Sequence, residues 1–117
     1  MHALFIVLNK TEYLDDILTA FVNIGITGAT IIDSQGMASA LVENHHNDIP
    51  IIGSLRSLVD RSRPYNKTIF TILQDNKMVD RAMEAVNTIV GGMNSKGTGV
   101  MFTVPVGKIL GIENVNK

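Results

Sequence analysis

Two neighbouring histidines stand in the most polar stretch of the chain. The pair, His45 and His46, is flanked by two carboxylates. These carboxylates belong to Glu43 and Asp48. Imidazole and carboxylate groups are common ligands of divalent metal ions. Adjacent histidines on a polar loop rarely hold a fixed metal, because ligating side chains need further hydrogen bonds to orient them. Two interpretations therefore stay open: a metal site assembled from several copies around a symmetry axis, or a solvated loop tip.

Three arginines follow the histidines at short intervals. They are Arg56, Arg61 and Arg63. A guanidinium group forms paired hydrogen bonds to carboxylate and phosphate oxygens, so these residues suit an anionic ligand or an acidic partner protein. The alternative is that they are solvated or pair with local acids such as Asp60. We predict them to be partner-binding residues of a long loop.

A glycine-rich stretch near the end of the chain invites comparison with a phosphate-binding loop. It is Gly91-Gly-Met-Asn-Ser-Lys-Gly-Thr-Gly99. A Walker-type loop opens a helix and ends in Gly-Lys-Ser or Gly-Lys-Thr, whereas this stretch precedes a predicted strand. The Walker interpretation therefore fails. What remains is either an ordinary flexible turn or a concave group of backbone N–H donors at a cleft between subunits.

The composition excludes several classes of protein. The chain has 117 residues, a net charge of −1 and no cysteine. We therefore predict one domain over 1–117, without disulfides, thiol catalysis or cysteine-bound zinc. A nearly neutral chain lacks the basic field that nucleic-acid binding needs, so we expect no nucleic-acid partner. The residues offer no Ser-His-Asp or paired-carboxylate arrangement, and we expect a protein without enzymatic activity.

Hydrophobic periodicity predicts two strand–helix–strand units. The first apolar run, 3–8, is typical of a strand buried on both faces. It is far shorter than the ~20 residues of a membrane span, and we expect a cytoplasmic protein. Thr11 is the expected N-cap of the helix that follows, and Gly25 its stop. The other predicted elements are strands at 29–33 and 67–73, a helix at 76–90, a strand at 100–104 and a short fifth strand at 108–112.

The order of these elements predicts an α+β fold of the ferredoxin-like type. This is a βαββαβ sandwich with both helices on one face of an antiparallel sheet. The other face would then be bare, although its Ile, Val, Phe and Leu residues are apolar. A small sheet with an uncovered apolar face is an association surface. The pattern alone therefore predicts an oligomer.

The connection between the two units, 37–65, is unusually long. Loops beyond about 12–15 residues are uncommon in compact domains and usually have a function. Its first residues, 37–41, are interpreted either as an extended arm of the second strand or as a ligand-facing loop base. The return limb has a short helical pattern of apolar residues. We predict a projecting loop that serves binding.

Two motifs together resemble the PII family of signalling proteins. Leu14-Asp-Asp-Ile17 followed by Ile24-Gly-Ile-Thr-Gly-Ala-Thr30 resembles the family's segment from helix 1 to strand 2. Gly97-Thr-Gly-Val-Met-Phe-Thr-Val-Pro-Val106 is similar to its Gly-x-Gly turn and fourth strand. The loop 37–65 stands where the family has its T-loop. The resemblance covers nearly all of the chain outside that loop.

The resemblance implies a homotrimer with three clefts between subunits, each binding an adenine nucleotide. It also implies that the T-loop controls a target transporter or metabolic enzyme, in nitrogen or related metabolism. Thr30 matches the threonine that meets the adenine ring, and Gly36 matches a glycine at the loop base. Gly97 and Gly99 match the pair whose backbone approaches phosphate. These four residues are the effector site that the resemblance predicts.

The chain departs from the family where the family has charge or binds metal. Val100 stands in place of a lysine, and Gly111 and Glu113 stand in place of two phosphate-binding arginines. Ala40 stands in place of the glutamine that serves magnesium and 2-oxoglutarate. Each charge-assisted contact to phosphate contributes roughly 1.5–3 kcal/mol. An effector with less charge than ATP, or none, therefore stays open beside an adenine nucleotide.

Two further hypotheses stay open on the same fold. One is a trimeric divalent-metal-binding protein resembling the CutA family, although this chain has no cysteine and a single His-His pair. The other is a structural oligomer without a small ligand. The preferred expectation is a PII-like regulator that acts on a target protein through its long loop.

Overall fold

The structure, a computed structural model, describes residues 1–45 and 65–112. Within these ranges it has four strands and three helices. The strands are β1 His2–Leu8, β2 Thr30–Ser34, β3 Asn66–Leu73 and β4 Gly99–Pro105. The helices are α1 Leu14–Asn23, α2 Met37–His45 and α3 Asn76–Ile89. A 3-10 turn, Thr11–Tyr13, leads into α1.

The strands form one antiparallel sheet in the order β2-β3-β1-β4. β1 pairs along its whole length with β3 on one side and with β4 on the other. β2 is shorter: its first residue, Thr30, lies opposite Phe70, so residues 71–73 of β3 have no partner on β2. The predicted α+β class with an antiparallel sheet is confirmed, and the arrangement is compatible with a ferredoxin-like sandwich.

The core lies between the sheet and the helices α1 and α3. Leu4, Ile6 and Leu8 of β1 are fully buried, which is the period of two expected of a strand with one face on a core. The helices contribute Ile17, Phe21, Val79, Ala82 and Val86 at helical spacing. Each large aliphatic or aromatic side chain buried here contributes roughly 1.5–3 kcal/mol. Burial on this face therefore fixes where both helices lie.

The two packed helices begin in different ways. Asp75 caps α3, because its side chain accepts a hydrogen bond from the Met78 backbone N–H at 2.8 Å. The residue before α1, Tyr13, makes no such side-chain bond. Thr11 lies inside the 3-10 turn, so the prediction that it is the N-cap of the helix is wrong. The tighter turn supplies backbone bonds at this end of the helix in place of a side-chain cap.

The segment after β2 is a helix. The prediction that 37–41 continues the second strand is wrong, since α2 begins at Met37 and the Ala40 N–H bonds to the Gly36 carbonyl at 3.0 Å. Met, Ala and Leu favour helix, and among the described residues β2 has no paired neighbour beyond Ser34. Without a partner strand, intrinsic helix propensity decides the local structure.

The predicted fifth strand at 108–112 is also wrong. The described residues 106–112 form no strand, and Gly111 has a φ of +87°, which bends the chain away from an extended course. A glycine on either side of 108–110 lowers the strand tendency of this short apolar stretch. The four observed strands and α3 agree with their predicted bounds to within one residue.

Two buried threonines differ in their hydrogen bonding. The Thr71 hydroxyl donates to the Gly28 carbonyl oxygen at 2.6 Å. The hydroxyl of Thr98, which is also buried, has no hydrogen-bond partner among the described residues. A buried polar atom without a partner opposes folding, whereas a bonded one favours it.

Valine substitutions at these two threonines are expected to act in opposite directions. Thr71→Val removes a made bond and is expected to lower the free energy of unfolding by about 1 kcal/mol. Thr98→Val removes an unsatisfied hydroxyl at nearly constant volume and is expected to leave this free energy unchanged or to raise it by up to about 1 kcal/mol. Urea unfolding measures both. Equal destabilisation by the two substitutions would show that Thr98 has a partner.

Candidate functional site

The face of the sheet that points away from α1 and α3, the open face, carries a row of three stacked phenylalanines. Phe5 lies opposite Phe70 on one side and Phe102 on the other. Its ring centroid is 5.5 Å from that of Phe70 and 5.3 Å from that of Phe102, with interplanar angles of 28° and 8°. The three rings form an apolar band across β3, β1 and β4.

Much of the open face is accessible to solvent. On β4, Val100, Phe102 and Val104 are 52%, 42% and 41% exposed, and Ile32 on β2 is 47% exposed. These side chains alternate along their strands and lie on the same side of the sheet as the phenylalanine band. A continuous apolar surface of this kind marks a site of association.

An uncharged hydrogen-bonded cluster lies at the end of the open face where β2 leads into α2. The Ser34 hydroxyl contacts the side chains of Asn66 and Thr68, the second at 2.8 Å. Asn66 is buried, and its amide nitrogen donates to the Asn9 side-chain oxygen at 3.2 Å. The cluster joins β2, β3 and the residue after β1. It therefore fixes this corner of the sheet with neutral polar groups.

A carboxylate connects α2 to both neighbouring strands. Glu43 on α2 accepts a hydrogen bond from the Gln35 amide nitrogen at 2.5 Å and another from the Tyr65 hydroxyl at 3.3 Å. Gln35 directly follows β2, and Tyr65 directly precedes β3. Glu43 thus holds α2 against the two points where the long connection meets the sheet.

A cavity of about 400 Å³, the notch, lies where β3 continues past β2. It is lined by residues 25–30, residues 70–74, Met78 and Ile112. The bond from Thr71 to the Gly28 carbonyl fastens the 25–30 connection to β3 and so holds one wall in place. Apolar side chains together with a few backbone and hydroxyl groups are the usual lining of a small-ligand site.

The structure divides the predicted effector residues between the two edges of the sheet. Thr30 begins β2 and lines the notch, and Gly36 follows the same strand. Gly99 begins β4, the opposite edge strand, and Thr98 separates it from Gly97. Three strand spacings separate the edges, which is roughly 14 Å. A single chain therefore does not bring the four residues together.

Several predicted residues lie outside the described part of the chain. Among them are the three arginines, Arg56, Arg61 and Arg63. Most of the polar stretch around the two histidines also lies outside it. Within residues 1–45 and 65–112, no group of three or more metal-ligating side chains is close enough to hold an ion. No helix in the same ranges is long and apolar enough to cross a membrane. The partner-binding and metal hypotheses stay predictions.

Sequence reasoning missed three features of this region. The place of Phe70 in the notch wall had a signal in the sequence, because Phe70 alternates with buried residues on a predicted strand. The bond between Glu43 and Tyr65 had none, since these residues are far apart in sequence and meet only through the fold. The placement of Asn66 beside Ser34 likewise needed the register of β2 on β3.

Comparison with models of known protein families and with curated protein sequences found no match to this chain.

Packing within the chain requires glycine at position 99. A Cβ there would overlap the carbonyl oxygen of Val7 on β1, and the φ of Gly99 is +140°. Gly97 has a φ of +79°, but a Cβ at that position would meet no atom within 4 Å. The two glycines of the predicted pair therefore differ. A side chain at Gly99 is excluded by a neighbouring backbone, whereas one at Gly97 is disfavoured only by the positive φ.

Alanine substitutions separate these two requirements. Gly99→Ala is expected to lower the free energy of unfolding by about 3 kcal/mol or more, because β4 must move away from β1 and strain its backbone. Gly97→Ala is expected to cost about 1 kcal/mol from the positive φ alone. Chemical denaturation of both variants measures the difference. Similar losses would contradict the close approach of β4 to Val7.

Proposed function

We propose that the protein is a non-enzymatic regulator of the PII-like kind. It is a homotrimer of ferredoxin-like subunits that binds a small effector in clefts between subunits and controls a target transporter or metabolic enzyme through the 37–65 loop. One observation carries this proposal: the predicted effector residues lie on opposite edges of a sheet whose open face is apolar. An effector site built from both edges is complete only when two copies meet.

A ring of copies follows from the use of two different edges. When the β2 edge of one copy meets the β4 edge of the next, the contact is heterologous, and a heterologous contact closes into a trimeric ring when it rotates each copy by a third of a turn. Each contact then brings Thr30 of one copy toward Gly97 and Gly99 of its neighbour. A trimer contains three such clefts.

The open face supplies a driving force for assembly. Apolar area contributes roughly 25 cal/mol per Å² when it leaves water. The phenylalanine band and the exposed valines of β4 provide this area. The sequence of β4, GVMFTVP, also has no charged residue, whereas charge is a common device for keeping edge strands apart.

The notch favours an effector with a flat, largely apolar part. Phe70 and Ile72 supply apolar walls, and Thr30, an exposed residue of the lining, offers a hydroxyl as a polar contact. At the other end of β2 the cluster around Asn66 is uncharged, and Val100 is apolar and exposed. An adenine nucleotide with few phosphates combines a flat base with a small charge, and it is the effector that this arrangement suits best.

The long connection begins at the same corner of the sheet. Glu43 bonds α2 to residues beside β2 and β3, so a shift at this corner alters where the connection starts. An effector changes such a segment only through different affinities for its states. This coupling lets the effector control a target protein through the 37–65 loop.

The assembly is tested by placing a charge on the open face. The wild-type chain is expected to have a mass in solution three times that of the 12.7 kDa monomer. Phe102→Lys buries an unpaired ammonium group in the contact and is expected to weaken association about 100- to 1,000-fold. Sedimentation equilibrium over a range of concentrations measures the mass of the wild type and of the variant.

A matched control comes from α1, on the other side of the molecule. Val22 is 62% exposed on that helix, so Val22→Lys adds the same charge away from the open face and is expected to leave the mass unchanged. A wild-type monomer at micromolar concentration would contradict the proposal. Equal dissociation of the two lysine variants would also contradict it.

The effector is tested by calorimetry with AMP, ADP and ATP. We expect binding that Thr30→Val weakens about 3- to 10-fold, because one hydroxyl contact of about 1 kcal/mol is lost. Thr88→Val, on an exposed position of α3, serves as the control and is expected to bind as the wild type does. Heat from copper or zinc without heat from nucleotides would instead favour a metal-binding trimer.

A further inference from the structure

We propose that residues 106–112, the strap, close one side of the notch by seating the side chain of Ile112 in its wall. The strap leaves β4 at one edge of the sheet, yet its last residue lines a cavity at the opposite edge, together with Leu73 and Met78. The last described residues therefore cross the sheet from β4 and reach the notch, where an effector would enter.

The strap is long enough to move. Pro105, His2 and Leu73 lie in one row across β4, β1 and β3, so two strand spacings, roughly 10 Å, separate the start of the strap from the notch. Residues 106–112 span roughly 23 Å when fully extended. The extended length of the strap is thus greater than the distance that it crosses.

Within the described part of the chain, the strap makes few backbone hydrogen bonds. Its first residue donates a backbone hydrogen bond, from the Val106 N–H to the Met1 carbonyl at 3.1 Å. Among the described residues, the backbone of 107–112 makes no further bond to another backbone group. Segments with few hydrogen bonds and few buried contacts open at low cost. The seat of Ile112 is therefore the second attachment point.

The side chains of the strap fit this assignment. Ile112 is 39% exposed in the notch wall, whereas Leu110 is 99% exposed. Gly111 between them has a φ of +87°, a conformation that turns the chain so that Ile112 meets the notch. A Cβ at Gly111 would meet no atom within 4 Å, so an alanine there disfavours the seated conformation through the backbone alone.

Single tryptophans report the seat directly, because the chain has no tryptophan of its own. Ile112→Trp is expected to emit at shorter wavelength than Leu110→Trp and to be quenched several-fold less by acrylamide. Adding Gly111→Ala to the Ile112→Trp chain is expected to move its emission and quenching toward those of Leu110→Trp. Equal quenching of the two tryptophans would overturn the strap.

A second measurement covers the case in which tryptophan does not fit the seat. Hydrogen exchange at the amides of residues 70–74 is expected to be several-fold faster in Ile112→Ala than in the wild type, because the notch loses the side that Ile112 provides. Leu110→Ala, the matched control, is expected to leave these rates unchanged. The same rates in both alanine variants would overturn the proposal. Both measurements are made without nucleotide and are repeated on a chain that also carries Phe102→Lys, in which assembly is disrupted, so failure here leaves the proposed function standing.

Discussion

Both faces of the sheet are set by the pairing of β1 with a strand on each side. Because β1 is bonded to β3 and β4 along its whole length, successive side chains are fixed on opposite faces. Leu4 and Ile6 must meet the helices, and Phe5 must lie between Phe70 and Phe102 on the open face. A shift of one residue would exchange the two faces, so burial of the core also fixes the aromatic band.

This constraint connects the fold to the proposed assembly. The helices α1 and α3 cover one face, and the described residues place no element on the other. The open face keeps apolar side chains in water, and the two edge strands carry different predicted effector residues. Copies that meet at these edges would cover the apolar face and complete a cleft by the same contact. Assembly and effector binding are then two results of one geometry.

The notch and the corner near Glu43 lie at opposite ends of β2, which is only five residues long. A short edge strand has few hydrogen bonds to resist a small displacement. Thr30 at one end of β2 lines the notch, while Gln35 just past the other end bonds to Glu43 on α2. In the proposed regulator this strand is the physical connection between an occupied notch and the long loop.

The sequence alone determined the elements whose periodicity is strong. The alternation in β1 and β3 and the apolar stripe of α3 predict strands and a helix within one residue of those observed, because local burial patterns follow strand and helix geometry. It did not determine α2, the 3-10 turn or the irregular course of the described residues 108–112. Those depend on whether a partner strand or a side-chain cap is present, which is decided by distant residues. Only the tertiary structure placed Thr30 and Gly99 on opposite edges, joined Glu43 to Tyr65 and brought Ile112 to the notch, since each needs strand order and register that no local pattern contains.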